Sequence, residues 1–201
     1  MQAAFLGVPV APPSLVVRCR SIPMYQLVCG EYSIQVEDGG LPEIYAEYSS
    51  RAVLKIEKDL KSSEGKAAFC AVARDRDWPF LAIAFRYSPS GSGFSPGLVL
   101  VPETDLLFLG AGTLLLAFDL RIPCQLWEDS AEVGFLSWSR HAEVVVMSAE
   151  LELAAWDLNG RKLWTKNVEP PWDYTVENGL VKLDVMGEVS EFSLDDGPNG
   201  T

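Results

Sequence analysis

Residues 93–97 (Gly-Phe-Ser-Pro-Gly) have the G-x-S-x-G pattern of a nucleophile elbow, in which the serine attacks an ester or amide. An elbow also needs the backbone N–H of the next residue for its oxyanion hole, and a helix after the turn. Here the next residue is Pro96, which has no N–H, and the aliphatic segment that follows is typical of a strand. His141, the only histidine, would have to be the base. We therefore predict a loop and no esterase site.

Residues 107–112 (Leu-Phe-Leu-Gly-Ala-Gly) begin like the strand and glycines that open a dinucleotide site. The third glycine of G-x-G-x-x-G is replaced by Leu115, and strand-like alternation continues where a helix should start. We expect the glycines of this segment to form a hairpin turn, and we expect no dinucleotide.

Adjacent carboxylates such as Glu128 and Asp129 could carry acid–base chemistry only if they converged, whereas neighbours on a strand point to opposite faces. Residues 157–160 hold too few acidic positions for a calcium loop. His141 lies between two expected strands, and we predict a polar loop residue there instead of a metal ligand. The sequence thus predicts no catalytic residue and no metal site.

Tryptophan is concentrated in residues 105–201, which hold five of the six. Such side chains can anchor a protein partner or stack on a sugar. Three fall at positions of a repeat described below, and we predict that they pack between repeat units: Trp127, Trp156 and Trp164. We expect residues 169–174 (Glu-Pro-Pro-Trp-Asp-Tyr) to form a rigid acidic-aromatic loop. The predicted contact site comprises Trp138, Trp172, Asp173 and Tyr174.

The charge balance restricts the class of partner. The 201 residues include 28 acidic and 16 basic side chains, a formal net charge of −12. Nucleic-acid backbones and anionic membranes both require clustered lysine and arginine, so neither is an expected partner. Residues 105–201 carry −11 of this charge. This asymmetry indicates either a binding face for a basic protein or a solubilising surface.

The cysteine spacing and the N-terminal residues indicate the cellular compartment. Cys19, Cys29, Cys70 and Cys124 are scattered without a CxxC pair, which favours reduced thiols. Residues 1–17 are apolar but contain three prolines and no positive n-region, so a signal peptide is not expected. No apolar run is long enough to span a membrane. We expect a soluble cytoplasmic protein.

Alternation of apolar and polar residues predicts a mostly β chain. In the first half we expect strands at residues 15–20, 27–36, 67–74 and 80–87. Residues 51–61 fit either a short amphipathic helix or a strand that runs into a charged turn. The Ser/Gly/Pro-rich residues 88–97 are the clearest loop. They suggest a division into residues 1–97 and 98–201, with one continuous domain as the alternative.

The second half contains a repeat. Phe118 and Trp156 lie 38 residues apart, and Trp156 and Phe192 lie 36 apart. The expected strands are residues 106–110, 114–120 and 124–127, then 143–148, 151–158 and 161–164, then 180–185 and 188–194. Each unit is a small meander that cannot bury both faces alone, so units of this period stack or arrange radially.

The first two units resemble the repeat of quinoprotein-type β-propellers, found in alcohol dehydrogenases that carry pyrroloquinoline quinone. There a strand ends in Leu/Ala–aromatic–Asp, a Thr-Gly-type turn follows, and the next strand ends in Leu-Trp. Residues 114–127 and 153–164 are similar to this pattern, although their turns contain Arg-Ile-Pro and Asn-Gly. The third unit lacks the closing tryptophan. A closed propeller needs at least four blades, so the resemblance implies no quinone site. Family members without the cofactor dock proteins on the same blades.

These observations predict an all-β fold of incomplete or open propeller-like repeats, built from three- to four-stranded antiparallel meanders, with an irregular N-terminal β region. The expected function is non-catalytic binding of a basic protein through an acidic, tryptophan-bearing surface, as an inhibitor or immunity-type protein would do, with no cofactor. The alternative is a small hydrolase or carbohydrate-binding protein with its site in an aromatic groove.

Overall fold

The computed structural model describes residues 24–75, 77–87 and 95–198. The first of its four sheets, sheet A, contains β1 (Met24–Cys29), β2 (Tyr32–Asp38), β3 (Leu54–Lys58), β4 (Lys66–Arg74) and β5 (Leu81–Tyr87). The helix α1 (Tyr45–Arg51) lies between β2 and β3. The spatial order in sheet A is β1-β2-β4-β5-β3, with β3 parallel to β5 and every other pair antiparallel.

The remaining sheets are antiparallel meanders in chain order. Sheet B contains β6 (Gly97–Val101), β7 (Leu106–Ala111), β8 (Leu114–Asp119) and β9 (Cys124–Ser130). Sheet C contains β10 (Phe135–His141), β11 (Val144–Ala149), β12 (Glu152–Asp157) and β13 (Lys162–Asn167). Sheet D contains β14 (Trp172–Glu177), β15 (Leu180–Val185) and β16 (Glu188–Ser193). The described strands do not close into a ring, which confirms the prediction of an open propeller-like all-β fold.

The four sheets stack in a row because the central ones are apolar on both faces. Along β7 every residue is buried. Leu107 and Leu109 pack into a core shared with sheet A, whereas Leu106 and Phe108 pack into a core shared with sheet C. A third core lies between sheets C and D. Strands covered on both faces have the continuous apolar runs seen in β7, β8 and β11.

The repeat predicted from the sequence corresponds to strands β7–β9, β11–β13 and β15–β16. Each unit also has a first strand that the repeat pattern does not include, namely β6, β10 or β14. In the first half, the strand expected at residues 27–36 is a hairpin, since the turn at Gly30 divides β1 from β2. Residues 54–58 of the ambiguous segment form a strand, and α1 precedes it. The strand expected at residues 15–20 and most of the loop at 88–97 lie outside the described residues.

Trp127, Trp156 and Trp164 pack between sheets, as predicted. The Trp127 and Trp156 rings stack with centroids 5.6 Å apart. The Trp127 indole N–H donates to Gly160 O of sheet C at 2.7 Å. Trp164 makes the corresponding bond to Leu194 O, at the end of sheet D, also at 2.7 Å. The closing tryptophan of one sheet therefore docks on the last turn of the next.

Gly110 lies within β7, which agrees with the strand expected at residues 106–110 but not with a turn that includes both glycines of residues 107–112. Its partner on β6 is Gly97. A Cβ on Gly110 would come within 2.5 Å of the Phe135 ring, and one on Gly97 within 2.8 Å. The two glycines therefore allow Phe135 of sheet C to lie directly on the backbone of sheet B. Of the glycines in residues 107–112, the turn contains only Gly112, with φ 58°.

Candidate functional site

Three of the four predicted contact residues are consecutive on β14, so the loop expected at residues 169–174 is wrong from Trp172 onward. Trp172 and Tyr174 point toward sheet C and are half-buried, whereas Asp173 is exposed on the outer face of sheet D. The strict alternation of Trp-Asp-Tyr-Thr-Val-Glu is the signal that would have predicted this strand.

Trp138 does not lie beside the other three predicted contact residues. It lies on β10, and its ring packs on Phe108, Phe135 and Trp156 in the core between sheets B and C. Trp172 and Tyr174 contact the opposite face of sheet C. The position of Trp138 in chain order gives no information about which face of its sheet it occupies.

A hollow of about 470 Å³ lies where β14 begins beside β10 and β11. Its apolar wall contains Leu136, Pro171, Trp172 and Tyr174, and its polar wall contains Ser137, Ser148 and Glu150. The Trp172 and Tyr174 rings stack with centroids 6.3 Å apart. The Trp172 indole N–H donates to Glu150 O at 2.9 Å, which fixes the ring against sheet C.

A second hollow, of about 430 Å³, lies on the outer side of Trp172. Asp173 of β14 and Asp184 of β15 are directly opposite each other on its wall. Met186, in the β15–β16 turn, is 58% exposed beside them. We call the two sides together the Trp172 surface, which comprises Pro171, Trp172, Asp173, Tyr174, Asp184 and Met186.

Asp184 and Met186 were not among the predicted site residues. In the sequence they belong to the third repeat unit, where they look like an ordinary strand end and turn. The β14–β15 hairpin brings them beside Trp172 and Asp173, because Trp172 pairs with Val185 and Asp173 with Asp184. The sequence alternation would give the faces of each strand, but the hairpin register is needed for the pairing.

A hydrogen-bonded network of three side chains joins sheets C and D behind the first hollow. Ser139 Oγ lies 2.6 Å from Tyr174 Oη and 3.2 Å from His141 Nε2. Burial lowers the pKa of His141 and raises the pKa of Tyr174, so both are uncharged at neutral pH. His141 is the last residue of β10, not the loop residue that the sequence predicted. The network can position Tyr174 without adding a charge.

Within residues 24–75, 77–87 and 95–198, no group of three or more histidine, cysteine or acidic side chains is placed to hold a metal ion. In the same ranges no helix has both the length and the apolar character needed to cross a bilayer.

No protein-family model and no curated protein match the chain. Among solved structures, BamB from Moraxella catarrhalis is similar at 14% identity and a TM-score of 0.42, over 84% of this chain and 62% of that one. The computationally designed Ika8 protein is similar at 10% identity and a TM-score of 0.42, over 86% of this chain and 58% of that one. Hsv2 from Kluyveromyces lactis is similar at 8% identity and a TM-score of 0.31, over 52% and 34%.

The chain thus spans less than two thirds of the length of each of these proteins. At these identities and TM-scores the fold assignment rests on the sheet order and packing of the chain itself.

Proposed function

We propose that this chain is a non-catalytic protein-binding module whose Trp172 surface contacts a basic segment of its partner. The observation that carries the proposal is the combination of an exposed carboxylate pair with apolar side chains at one place on sheet D. Asp173 and Asp184 supply the charge, and Trp172, Pro171 and Met186 supply the apolar contact. Interfaces anchored by aromatic residues and flanked by charge have this composition.

The carboxylate pair is unfavourable for the chain alone. Asp173 and Asp184 are directly opposite on neighbouring strands, and like charges in this arrangement destabilise a sheet. A lysine or arginine of a partner between them would relieve the repulsion. Its aliphatic stem would then lie on Trp172 and Met186, since long basic side chains pack their stems on apolar surface. The surface therefore fits a basic side chain better than an acidic or neutral one.

The charge of the surrounding region supports the same partner. Residues 105–201 carry −11 of the net −12. On the outer face of sheet D, Asp173, Glu177, Asp184 and Glu191 are exposed, with Lys182 among them. An acidic face of this kind accelerates encounter with basic proteins. An inhibitor or immunity-type protein that neutralises a basic enzyme is the specific form that we propose.

The test is capture of partners from the protein's own cell lysate, with elution by increasing salt and with charge-matched variants. We expect wild type to retain a basic protein that salt releases, and Asp173→Lys to lose it. Glu64→Lys carries the same charge change on an exposed turn of sheet A and should retain the protein. Equal retention by wild type and Asp173→Lys, or equal loss with both variants, would contradict the assigned surface.

The first hollow favours a second candidate function, carbohydrate binding. The stacked Trp172 and Tyr174 rings face the hydroxyls of Ser137 and Ser148, which lie 2.8 Å apart. Rings of this kind stack on sugar faces, while hydroxyls bond to sugar oxygens. A thermal-shift screen against mono- and oligosaccharides tests it, because a ligand that binds the native state raises the melting temperature. A shift with one sugar class that Ser137→Ala reduces would favour this function over protein binding.

A further inference from the structure

The outer edge of sheet D differs from those of sheets B and C. In sheets B and C a fourth strand, β9 or β13, pairs with the third strand along most of its length. In sheet D the third strand, β16, pairs with β15 along all six of its residues without a bulge. On its other side, Ser193 is bridged to Gly197. Among the described residues, no strand lies beside residues 188–191.

Val189 and Glu191 direct their backbone groups toward this open edge. The N–H of Leu194 bonds to the β14–β15 turn at 2.9 Å, and in an antiparallel pair every second residue bonds to the same neighbour. Residues 188, 190 and 192 therefore face β15, and the residues between them face away. The bond from Gly197 N–H to Ser193 O, also 2.9 Å, has this outward direction. Val189 and Glu191 thus each offer an N–H and a C=O to an added strand.

Of the features that usually prevent strand addition, the edge lacks proline and a bulge, but it has an acidic residue, Glu188, on the face toward sheet C. Natural edge strands carry proline, bulges or inward-pointing charges, or are covered by a loop. Residues 188–193 contain no proline, and their pairing with β15 is regular. Residues 188–191 are exposed, and Val189 keeps 53% of its surface accessible. What the edge does carry is acidic charge, at Glu188 and Glu191.

The position of Glu191 indicates which kind of strand the edge accepts. In sheets B and C the equivalent residue is alanine, and it lies opposite the docking tryptophan, as Ala117↔Trp127 and Ala155↔Trp164. With glutamate in that place, a cation opposite it is favoured and an acidic residue is disfavoured. A second copy of this chain would bring the same glutamates, on a molecule of net charge −12, against the edge. A lysine- or arginine-bearing strand meets no such repulsion.

We propose that the edge of β16, which has no partner strand beside residues 188–191 within the described parts of the chain, binds an extended, lysine- or arginine-bearing segment of another protein as the fourth strand of sheet D. Backbone hydrogen bonds to Val189 and Glu191 would supply the attachment, and the Glu191 carboxylate would select a basic side chain opposite it. This edge is on the far side of sheet D from β14. Val189 lies directly opposite Asp184 of the Trp172 surface, but the contacts proposed here are the outward backbone groups of Val189 and Glu191, which that surface does not include.

The probe is a fluorescent peptide of alternating lysine and valine, blocked at both ends and about seven residues long, which is the usual length of a strand. We expect saturable binding by anisotropy at low salt, and slowed hydrogen exchange at the amides of Val189 and Glu191. Val189→Pro should weaken binding about tenfold, because it removes one outward N–H donor. An edge strand tolerates proline where the N–H faces solvent. Val189→Thr keeps the donor and should bind like wild type.

Three further comparisons test strand addition even if Val189→Pro fails to fold. A peptide N-methylated at every residue loses the backbone donors of both of its edges and should not bind wild type. Glu191→Lys should reject the lysine peptide and bind its glutamate counterpart. Asp173→Lys, at the Trp172 surface, should bind the lysine peptide within a few-fold of wild type. That result would separate failure of this proposal from failure of the proposed function.

Several outcomes would overturn the proposal. These are the absence of peptide binding, equal binding by wild type and Glu191→Lys, and protection of amides elsewhere than β16. A concentration-dependent dimer of wild type that Val189→Pro abolishes, with no peptide binding, would assign the edge to a second copy of the chain instead.

Discussion

Trp164 joins sheet C to sheet D through one hydrogen bond and one close backbone contact. Its indole N–H donates to Leu194 O. Its side chain lies against the backbone of Gly197, where the Cβ of any other residue would be. A Cβ on Gly197 would come within 2.5 Å of the indole. Gly187 has a similar positive φ, 90° against 75°, but no atom lies within 4 Å of its Cβ position. The two glycines therefore separate the effect of backbone conformation from the effect of packing.

We expect Gly197→Ala to destabilise the chain by about 1–3 kcal/mol more than Gly187→Ala, which is the usual range for overpacking a tight site. Both variants share the cost of placing alanine at positive φ, about 1–2 kcal/mol. Denaturant unfolding followed by tryptophan fluorescence measures the difference. Equal losses for the two variants would mean that Trp164 moves aside without cost.

His141 provides a test of pH dependence because it is the only histidine. Burial lowers its pKa in the folded state, so the folded chain binds fewer protons than the unfolded chain near that pKa. The stability associated with neutral His141 is therefore complete above the unfolded pKa of about 6.5 and decreases as the pH falls below it. We expect His141→Gln to flatten the loss of unfolding free energy just below this pH. An unchanged slope in His141→Gln would assign the pH dependence to other groups.

At the scale of elements, each sheet buries its apolar side chains against its immediate neighbours. One apolar core lies between sheets A and B, a second between sheets B and C, and a third between sheets C and D. Within residues 24–75, 77–87 and 95–198, sheet D has a core on one face only, and its outer face is mostly polar, as in the terminal units of repeat proteins. Sheet A is also covered on its second face, where α1 packs on Phe69 through Tyr45 and Tyr48. Of the two end sheets, sheet D is thus packed on one face and sheet A on both.

This arrangement predicts that a destabilising substitution in the core between sheets C and D unfolds sheet D without unfolding sheet A. Leu183 is fully buried between sheets C and D, and Leu183→Ala should cost about 2–5 kcal/mol at that interface. In hydrogen exchange we expect the amides of β14–β16 to lose protection in this variant, while those of β4 and β5 keep theirs. Equal loss of protection in sheets A and D would indicate that the row unfolds as a single unit.

At the scale of the whole molecule, net charge opposes compactness. The chain carries −12, and Asp173 and Asp184 face each other on one sheet. Raising NaCl from about 0.02 M to about 0.5 M shortens the screening length from roughly 20 Å to about 4 Å. We therefore expect the unfolding free energy to increase over this range. The double variant Asp173→Asn/Asp184→Asn should start about 0.2–1 kcal/mol higher and gain less from salt. A decrease with salt in wild type would mean that ion pairs outweigh the repulsion.

Several features followed from local sequence alone. Alternation placed the strands of the repeat, since side-chain direction along a strand has a period of two residues. The same period places Leu153 and Ala155 in the core between sheets C and D, and Ala154 and Trp156 in the core between sheets B and C. The period of the aromatic–Asp–Leu pattern predicted stacked or radially arranged units and the packing role of their tryptophans. These features depend on neighbours within one strand or one hairpin, which a sequence displays directly.

The candidate site depended on contacts that local sequence does not contain. The prolines before Trp172 suggested a loop and obscured the alternation of β14. Trp138 looked equivalent to Trp172 because chain order does not state which face of sheet C a residue occupies. The sequence determined an acidic series of β-meanders. Only the tertiary structure decided which tryptophans are buried between sheets, which carboxylates meet across a hairpin and which strand edge has no partner among the described residues, because each depends on register and on packing between distant segments.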